Sequence, residues 1–465
     1  MNVATCPEPY TPPKPHSLAA LPALARVLWN GDGNLLDLLP AAAYRFAVGN
    51  LGYSRRSTVL FNDPELVRHI LRDPDGLFPK SDLMVNALEP LIGESIFVTD
   101  GEKWRRQRAM IDPAFSNLRI SHAFGAMQAA VHAYLNELDE HAASGEAFSL
   151  DKAMSQLTAD IICRTVFSTS LDSKVAHDVF EDFTVFERSV AQVDLRHLIF
   201  KPAWSSAPQP PEVVEACRRI RRHIATLIDT HLADGVSFND IASDVIAARD
   251  ADSGAPFTRE ELIDQLGVFF LAGHETTASA LTWLFFICAE RPEVVVRMRE
   301  EIDRVVGDDE VSFGHLKSLP YLRAVFRETL RLYPPITFMP RVALQDATVG
   351  PRRLPRGALV MISPWTLQRH QDYWTEPHGF RPERFLPEND KDLTEGAYIP
   401  FGQGPHTCVG AGFAQTESLL IVTELFRRFD FTAINGKGVR PAARLTTRPR
   451  EQVFCRVTRR AAAGA

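Results

Sequence analysis

Cys408 sits inside FGQGPHTCVG, residues 401–410, with no second sulfur at the spacing a structural zinc site would need. A lone thiolate calls for another kind of partner. The run that follows, VGAGFAQTESLLIVTELFRRF, reads as a helix, so the sulfur lies at a helix N-terminus, where the dipole and free N–H groups favour an anion. Gly402 and Gly404 give the preceding turn conformations closed to other residues, and Gly410 removes bulk where a flat ligand would meet the helix. Set against this is the bland alternative for any isolated cysteine, a small buried apolar residue.

A second stretch breaks local rules in a way stability does not ask for. Thr258 and Glu261 form a capping box, and Arg291-Pro292 ends what would be one helix on the order of 50 Å long at 1.5 Å per residue. LGVFFLA and SALTWLFFICA make it apolar nearly all round, so it should run through the protein centre. Inside it sits AGHETT. Gly273 costs on the order of 1 kcal/mol against alanine in mid-helix, and Glu275, Thr276 and Thr277 place a carboxylate and hydroxyls in an apolar core. Such departures together mark a functional site. For Thr276 the structural alternative is a hydroxyl bonded back to the preceding turn's carbonyl.

Three further pairings complete the pattern. Trp104 and Arg108 are four apart in GEKWRRQRAM, sharing a helix face. Glu328 and Arg331 are three apart in RETLRLYPP, an ion pair at good spacing, and Arg384 follows in FRPERF. In this order the motifs, F-x-x-G-x-H-x-C-x-G, A-G-x-E-T-T, W-x-x-x-R, E-x-x-R and the later arginine, resemble those of the cytochrome P450 superfamily over nearly the whole chain. The resemblance implies a mainly α protein with small β-sheets, a triangular helical haem fold with a long central helix.

It also implies roles. Cys408 would be the axial thiolate on the iron of haem b, with Phe401 shielding the sulfur and Gly404 and Gly410 shaping the loop. His406 stands where most members carry arginine and would reach a haem propionate, as would Trp104, Arg108 and Arg341. Thr276 would hydrogen-bond bound oxygen, Glu275 would relay protons through water, and Gly273 would open the helix beside them. Splitting the O–O bond needs protons delivered without flooding the site. Glu328, Arg331 and Arg384 would be structural.

The activity implied is a monooxygenase that hydroxylates or epoxidises a hydrophobic small molecule. No G-x-G-x-x-G after a strand and no cysteine cluster is present, so electrons would come from separate proteins, a ferredoxin and its reductase upstream of NAD(P)H. A peroxide-driven hydroxylase or a haem isomerase or dehydratase of the same fold is the alternative, and a non-catalytic haem sensor or electron carrier is the rival of another class. Four segments are expected to face the substrate: Leu83, Val85, Leu88, Phe97 and Val98; then Val268, Phe269 and Ala272; then Ile336, Thr337, Phe338 and Met339; and last Leu445 and Thr446. Their apolar character calls for a terpenoid, steroid, fatty acid or aromatic and selects none of them.

The remaining chain supplies context. The 465 residues carry a formal charge of −7 and 45% hydrophobic residues, ordinary for a soluble protein and poor for nucleic acid, since no basic stripe with interleaved aromatics occurs. The six cysteines are scattered through apolar patterns, which fits a reducing interior. SLAALPALARVLW (17–29) is too short and interrupted to span a bilayer, so a cytoplasmic monomer built as one unit over 1–465 is expected. Residues 1–16 read as a proline-rich extended arm, and the tail RRAAAGA as disordered.

Residues 44–48 and 57–61 read as strands, and Asn62-Asp63-Pro64 as a helix start. Arg55 and Arg56 read as a solvated rim pair. Pro90 and Gly93 bar one continuous helix over 81–98. Lys103, Arg105 and Arg106 offer a positive patch for an acidic electron donor. The proline-dense 201–211 reads as a loop over the pocket, and Asn435-Gly436 as a hairpin turn.

Overall fold

The computed structural model describes residues 10–461 except 17, 20–21, 24, 27–33, 52–55, 191–201, 205–208 and 437. Among these residues the helices are α1 (Pro64–Arg72), α2 (Asp82–Ile92), α3 (Gly101–Ile111), α4 (Asn117–Ser144), α5 (Leu150–Phe167), α6 (Lys174–Val190) and α7 (Pro211–His231). There follow α8 (Ile241–Ala247), α9 (Arg259–Glu290), α10 (Pro292–Val305), α11 (Phe313–Lys317), α12 (Pro320–Leu332), α13 (Pro364–Leu367) and α14 (Ala411–Arg428). No helix is long and apolar enough to cross a membrane among the described residues.

The central element is α9, 32 residues opened by the Thr258–Glu261 capping box and buried along most of its length. Its apolar circumference leaves it no solvent face, so other elements must pack around it: α5, α7, α2, α12, α10 and α14 all do. α14 starts directly after Gly410, which is its N-cap residue, so the cysteine loop is held at the end of an 18-residue helix buried on most of its faces.

Four short strands, β1 (Val48–Asn50), β2 (Thr58–Phe61), β4 (Met339–Val342) and β7 (Leu359–Ile362), form a sheet ordered β1-β2-β7-β4, with β2 and β7 parallel and the outer pairs antiparallel. β3 (Phe148–Ser149), β8 (Phe429–Ala433) and β11 (Phe454–Arg459) make a second sheet, β5 (Ala347–Val349) pairs with β6 (Arg352–Leu354), and β9 (Pro441–Ala443) pairs with β10 (Thr447–Pro449). The Thr447 carbonyl accepts from Ser279 Oγ and Trp283 Nε1, both at 2.7 Å, which docks β10 on the central helix.

Several local expectations change. The first strand begins at Val48, because residues 41–44 form a 3₁₀ turn that buries Tyr44 and places its hydroxyl 2.9 Å from Trp365 Nε1 as acceptor. As expected, 81–98 is not one helix, since α2 stops at Gly93, φ +48°; the break falls at the glycine and not at Pro90, which sits in the last turn and leaves a single carbonyl without its N–H partner. Arg56 is buried against Asp82 at 2.8 Å instead of solvated, and Arg55 lies outside the described residues.

Asn435-Gly436 does not join paired strands, since β8 pairs with β11 and the β9–β10 hairpin is inserted between them. Asn435 instead caps the insertion, donating to the Gln452 carbonyl at 2.6 Å. In the tail, Arg459 ends β11 and pairs with Asp139, while Arg460 pairs with Asp303, both ordered contacts; 462–465 lie outside the described residues. Residues 201 and 205–208 of the proline-dense stretch lie outside them as well, as do residues 1–9 of the N-terminal arm.

Candidate active site

The loop from 401 to 410 is wound tightly by its glycines. Gly402 and Gly404 have φ of +78° and +79°, and a Cβ on Gly404 would come within 2.8 Å of the Leu71 carbonyl at the end of α1. The Cys408 N–H donates to Phe401 O at 2.9 Å, and Thr407 donates to Gly404 O through its amide and its hydroxyl. Cys408 is therefore presented on a rigid turn, its side chain open to a cavity of about 320 Å³ that Phe401, Gly410 and Phe413 also line. Burial pushes the thiol up, while the Gly410 amide and the Arg108 guanidinium act against that shift by favouring the anion.

At one rim of the cavity cations converge. Arg108 of α3 donates to Thr407 O at 2.6 Å and pairs with Asp112; Arg341 of β4 is buried with a single side-chain hydrogen bond among the described residues, to Pro340 O at 3.1 Å. Trp104 lies against the His406 ring with centroids 4.0 Å apart. Lys80, which no motif marks, brings Nζ to 3.2 Å from His406 Nδ1. Desolvation, then Lys80, Arg341 and Arg108, hold His406 down at about 3, so it is neutral at ordinary pH. Burial lowers Arg341 and, offset by Asp100, brings Lys80 to about 8.

The central helix forms another wall. Thr276 faces the cavity and donates its hydroxyl to Ala272 O at 2.7 Å, the back-bond to the preceding turn. With its hydrogen used in this way, the oxygen presents lone pairs. Gly273 also lines the cavity, but the space its missing side chain leaves is taken by Ile162 of α5, whose Cδ1 would lie 2.4 Å from a Cβ there.

Glu275 is no free acid. Its carboxylate pairs with Arg448 of β10 and accepts from the Thr446 hydroxyl at 2.5 Å, and Arg448 continues to Asp151 at 2.7 Å. Burial raises Glu275, and Arg448 outweighs it, holding the carboxyl below its usual range. The Glu328, Arg331 and Arg384 cluster lies apart from the cavity: Arg331 meets Glu328 at 2.7 Å, and Arg384 meets it at 3.4 Å.

Of the expected substrate-facing residues, Leu88, Phe97, Val268, Phe269, Ala272, Ile336, Phe338, Met339, Leu445 and Thr446 line the cavity. Leu83, Val85 and Val98 do not: on α2 it is Met84 and Leu88, four apart, that share the inward face, and Val85 and Val98 border a separate surface cleft. Thr337 also turns away, its hydroxyl 2.8 Å from that of Thr447, because alternate residues of an extended segment face opposite sides. Ile96, Phe115, Ile162 and Lys80 join the lining unannounced by any spacing signal. The expected positive patch is largely cancelled, with Lys103 paired to Glu94 and Arg106 to Asp250 and Glu261, leaving Arg105 exposed.

This donor set suits a haem: one thiol on a helix-capping loop, a mostly apolar slot, and buried cations with few carboxylates to meet a porphyrin's acidic arms. Comparison with known proteins agrees. The family model described as Cytochrome P450 matches residues 15–455. Cyclooctat-9-en-7-ol 5-monooxygenase of Streptomyces melanosporofaciens is 30% identical over 88% of this chain and 87% of its own. Pentalenene oxygenase of Streptomyces avermitilis is 28% identical over 85% and 87%. The crystal structure of the cytochrome P450DA haem domain superposes with a TM-score of 0.78, at 23% identity, over 89% of both chains.

Proposed function

This chain belongs to the cytochrome P450 family and is a haem-dependent monooxygenase, and from that premise we propose that it oxidises a C–H bond or double bond of a terpenoid-like polycyclic hydrocarbon. One observation carries the reading: the Cys408 sulfur and the Thr276 hydroxyl open into the same cavity, whose lining is overwhelmingly apolar. Two relatives bear the names of oxygenases of cyclooctat-9-en-7-ol and of pentalenene, which supports that substrate class.

The cofactor is haem b: Cys408 would be the iron ligand, and since it is the one cysteine lining the cavity among the described residues, none is left there to form a thioether with the porphyrin. Haem supplies the iron chemistry that splits O2, which an electron-rich thiolate ligand favours. The protein does the rest. Phe401, Phe413 and the Gly410 amide surround the sulfur, and Lys80, Arg108 and Arg341 would receive the carboxylate arms.

Thr276, its hydrogen already given to Ala272, accepts a hydrogen bond from a water or protonated oxygen in the cavity and so holds the last proton carrier in place. Glu275 is the charged group behind it, tied through Arg448 to Asp151 near solvent, a polar line through an otherwise apolar wall. Met84, Leu88, Phe269, Ile336 and Phe338 exclude bulk water and position the hydrocarbon by shape. Electrons come from a separate ferredoxin and its reductase. The presence of Thr276 favours this over a peroxide-driven reaction.

The test is a panel of terpenes, steroids, fatty acids and aromatics titrated into the ferric protein, followed by turnover with a ferredoxin, its reductase and NADPH. A low-to-high-spin shift with the polycyclic terpenes and oxygen uptake matched to oxidised product is expected. Turnover with peroxide alone, or tighter binding of fatty acids, would overturn the assignment.

A further inference from the structure

Arg448 fixes the charge of Glu275 but cannot supply it with protons. A guanidinium stays protonated at any pH a protein meets, so the line from Glu275 through Arg448 to Asp151 holds charge and passes no proton. The Glu275 carboxylate accepts from Arg448 at 3.0 Å and from the Thr446 hydroxyl, which keeps it an anion. A proton that enters the cavity by way of Glu275 must therefore start from another neighbour.

His274, the middle residue of AGHETT, is that neighbour. Its side chain is 2% exposed, among the rings of Phe180, Phe183 and Phe270, and does not line the cavity. Nδ1 lies 2.7 Å from the Phe270 carbonyl, which can only accept, so Nδ1 carries a hydrogen. Nε2 lies 3.0 Å from Glu187 Oε1 on α6. A bare ring nitrogen and a bare carboxylate would repel at that distance, so a proton sits between them, on one atom or the other. Burial and then Glu275 push Glu187 up; burial opposes the charge on His274, but Glu187 raises it. Both directions keep the shared proton bound.

Polar atoms of Glu187, His274 and Glu275 lie within 4.8 Å of one another, a span that one water bridges. A metal ion there would have to displace Arg448, so the cluster suits a proton better than a larger cation. Arg448 of β10 and, behind it, Asp151 of α5 are the other charged groups facing the pair among the described residues. α5 otherwise offers only the Thr158 hydroxyl, which donates to the His274 carbonyl at 3.0 Å. Glu187 reaches the surface, its side chain 21% exposed.

We propose that Glu187 and His274 form the proton store for the oxygen chemistry, loaded from solvent at Glu187 and discharged through a bridging water to Glu275 and on to the water that Thr276 holds. Glu275 carries the proton only in passing, since Arg448 favours its anion. Each proton lost inward is replaced by one entering at Glu187, so the pair returns to its starting charge. This rests on the monooxygenase reading above and adds to it two positioning residues outside the cavity lining.

The test compares haem-loaded wild type with E187Q, H274Q and the apolar double variant E187L/H274F. E187Q keeps the tie between α6 and α9 by donating from its amide to His274 Nε2, and H274Q keeps it by donating to the Glu187 carboxylate; both lose the movable proton. Where H274Q does not fold, E187Q carries the test. Two quantities are followed from mildly acid to alkaline pH. One is product formed per NADPH with the polycyclic terpene that shifts the spin state most. The other is the infrared stretch of carbon monoxide on the reduced haem, which needs no turnover. In wild type both should change together on the alkaline side, as the pair gives up its proton. In E187Q and H274Q product per NADPH should fall on the order of a hundredfold at neutral pH, the low end for loss of a positioned proton donor. The stretch should no longer move with pH in either.

Wild-type coupling in E187Q, with loss confined to the double variant, would overturn the proposal and reduce the pair to a tie between two helices. So would a wild-type carbon monoxide stretch that ignores pH. If no terpene shifts the wild-type spectrum, the substrate reading fails and the infrared arm still decides the pair. A wild type that holds no haem would instead sink the family-level reading, so the failures are told apart.

Discussion

Arg331 and Arg341 lie close in sequence, and both are buried, yet their surroundings obey opposite rules. Arg331 has no accessible surface and makes five hydrogen bonds: two to the Glu328 carboxylate and three to the carbonyls of Gln368, Pro377 and Gly379. All five guanidinium donors are spent. Arg341, 8% exposed, has one internal bond, to its neighbour Pro340, and forms no ion pair among the described residues. A closed network holds a structure together; a buried cation left open has room for a partner, which we propose to be the acid arms of the haem.

The largest effect that could break this contrast lies on the closed side. Glu328→Gln strands a fully buried guanidinium, and a cost of about 3–5 kcal/mol is expected, read as a sharp fall in melting temperature with or without haem. A variant melting where wild type does would show that the network is dispensable. Arg341→Met should do the reverse. The haem-free protein should be no less stable, because an unpaired buried charge is gone, while haem affinity weakens by about 1.5–3 kcal/mol. Equal destabilisation of apo and holo forms would erase the distinction between the two arginines.

Thr276→Ala sharpens the same idea at the opposite wall. Among the described residues the hydroxyl's only internal tie is the back-bond to Ala272, so stability should change by less than about 0.5 kcal/mol. Product formed per reductant consumed should nevertheless drop severely, with substrate binding unchanged; retained coupling would remove Thr276 from proton delivery.

The smallest effect concerns a closed pair that still titrates. His231 Nε2 and Asp240 meet at 2.8 Å, joining the end of α7 to the start of α8. Burial opposes the charge on His231, but the Asp240 contact and the Leu227 carbonyl raise it above 6.5; Asp240, pushed up by burial, is pulled below 3.8 by His231 and Ser168. The stability His231 adds is complete below pH 6.5 and fades as pH rises through its raised folded value. Asp240's share is present above 3.8 and fades as pH falls through its lowered value. Melting temperature should therefore decline on the alkaline side, and His231→Gln should flatten that decline. An unaltered pH profile in the variant would place the titrating group elsewhere.

What could be read from the chain alone follows from how far apart the cooperating residues lie. The cysteine loop and the AGHETT turn announce themselves because glycines, a thiol and hydroxyls are packed into a few residues, and the long apolar run around Gly273 requires a central helix. Glu328 and Arg331 sit one turn apart, a purely local relation. Lys80 is different: its partner His406 is brought alongside by the fold, and a single lysine in an extended segment carries no spacing signal.

The same limit explains Glu275, whose partner Arg448 arrives from a distant strand and makes an ion pair of the carboxylate expected to relay protons. Leu83, Val85 and Val98 were misplaced for a simpler reason. With Pro90 and Gly93 barring one helix over 81–98, the segment offers no periodicity to read, whereas the helix that ends only at Gly93 turns Met84 and Leu88 inward.

All of these contrasts presuppose that Cys408 sulfur binds the haem iron as an anion. The direct measurement is the absorbance spectrum of the dithionite-reduced protein under carbon monoxide, beside the Cys408→Ser variant. Wild type should show the strongly red-displaced Soret band of thiolate ligation, and the serine variant should lack it. A wild-type band at the position typical of histidine-ligated haem, or an identical band in both proteins, would contradict the assignment.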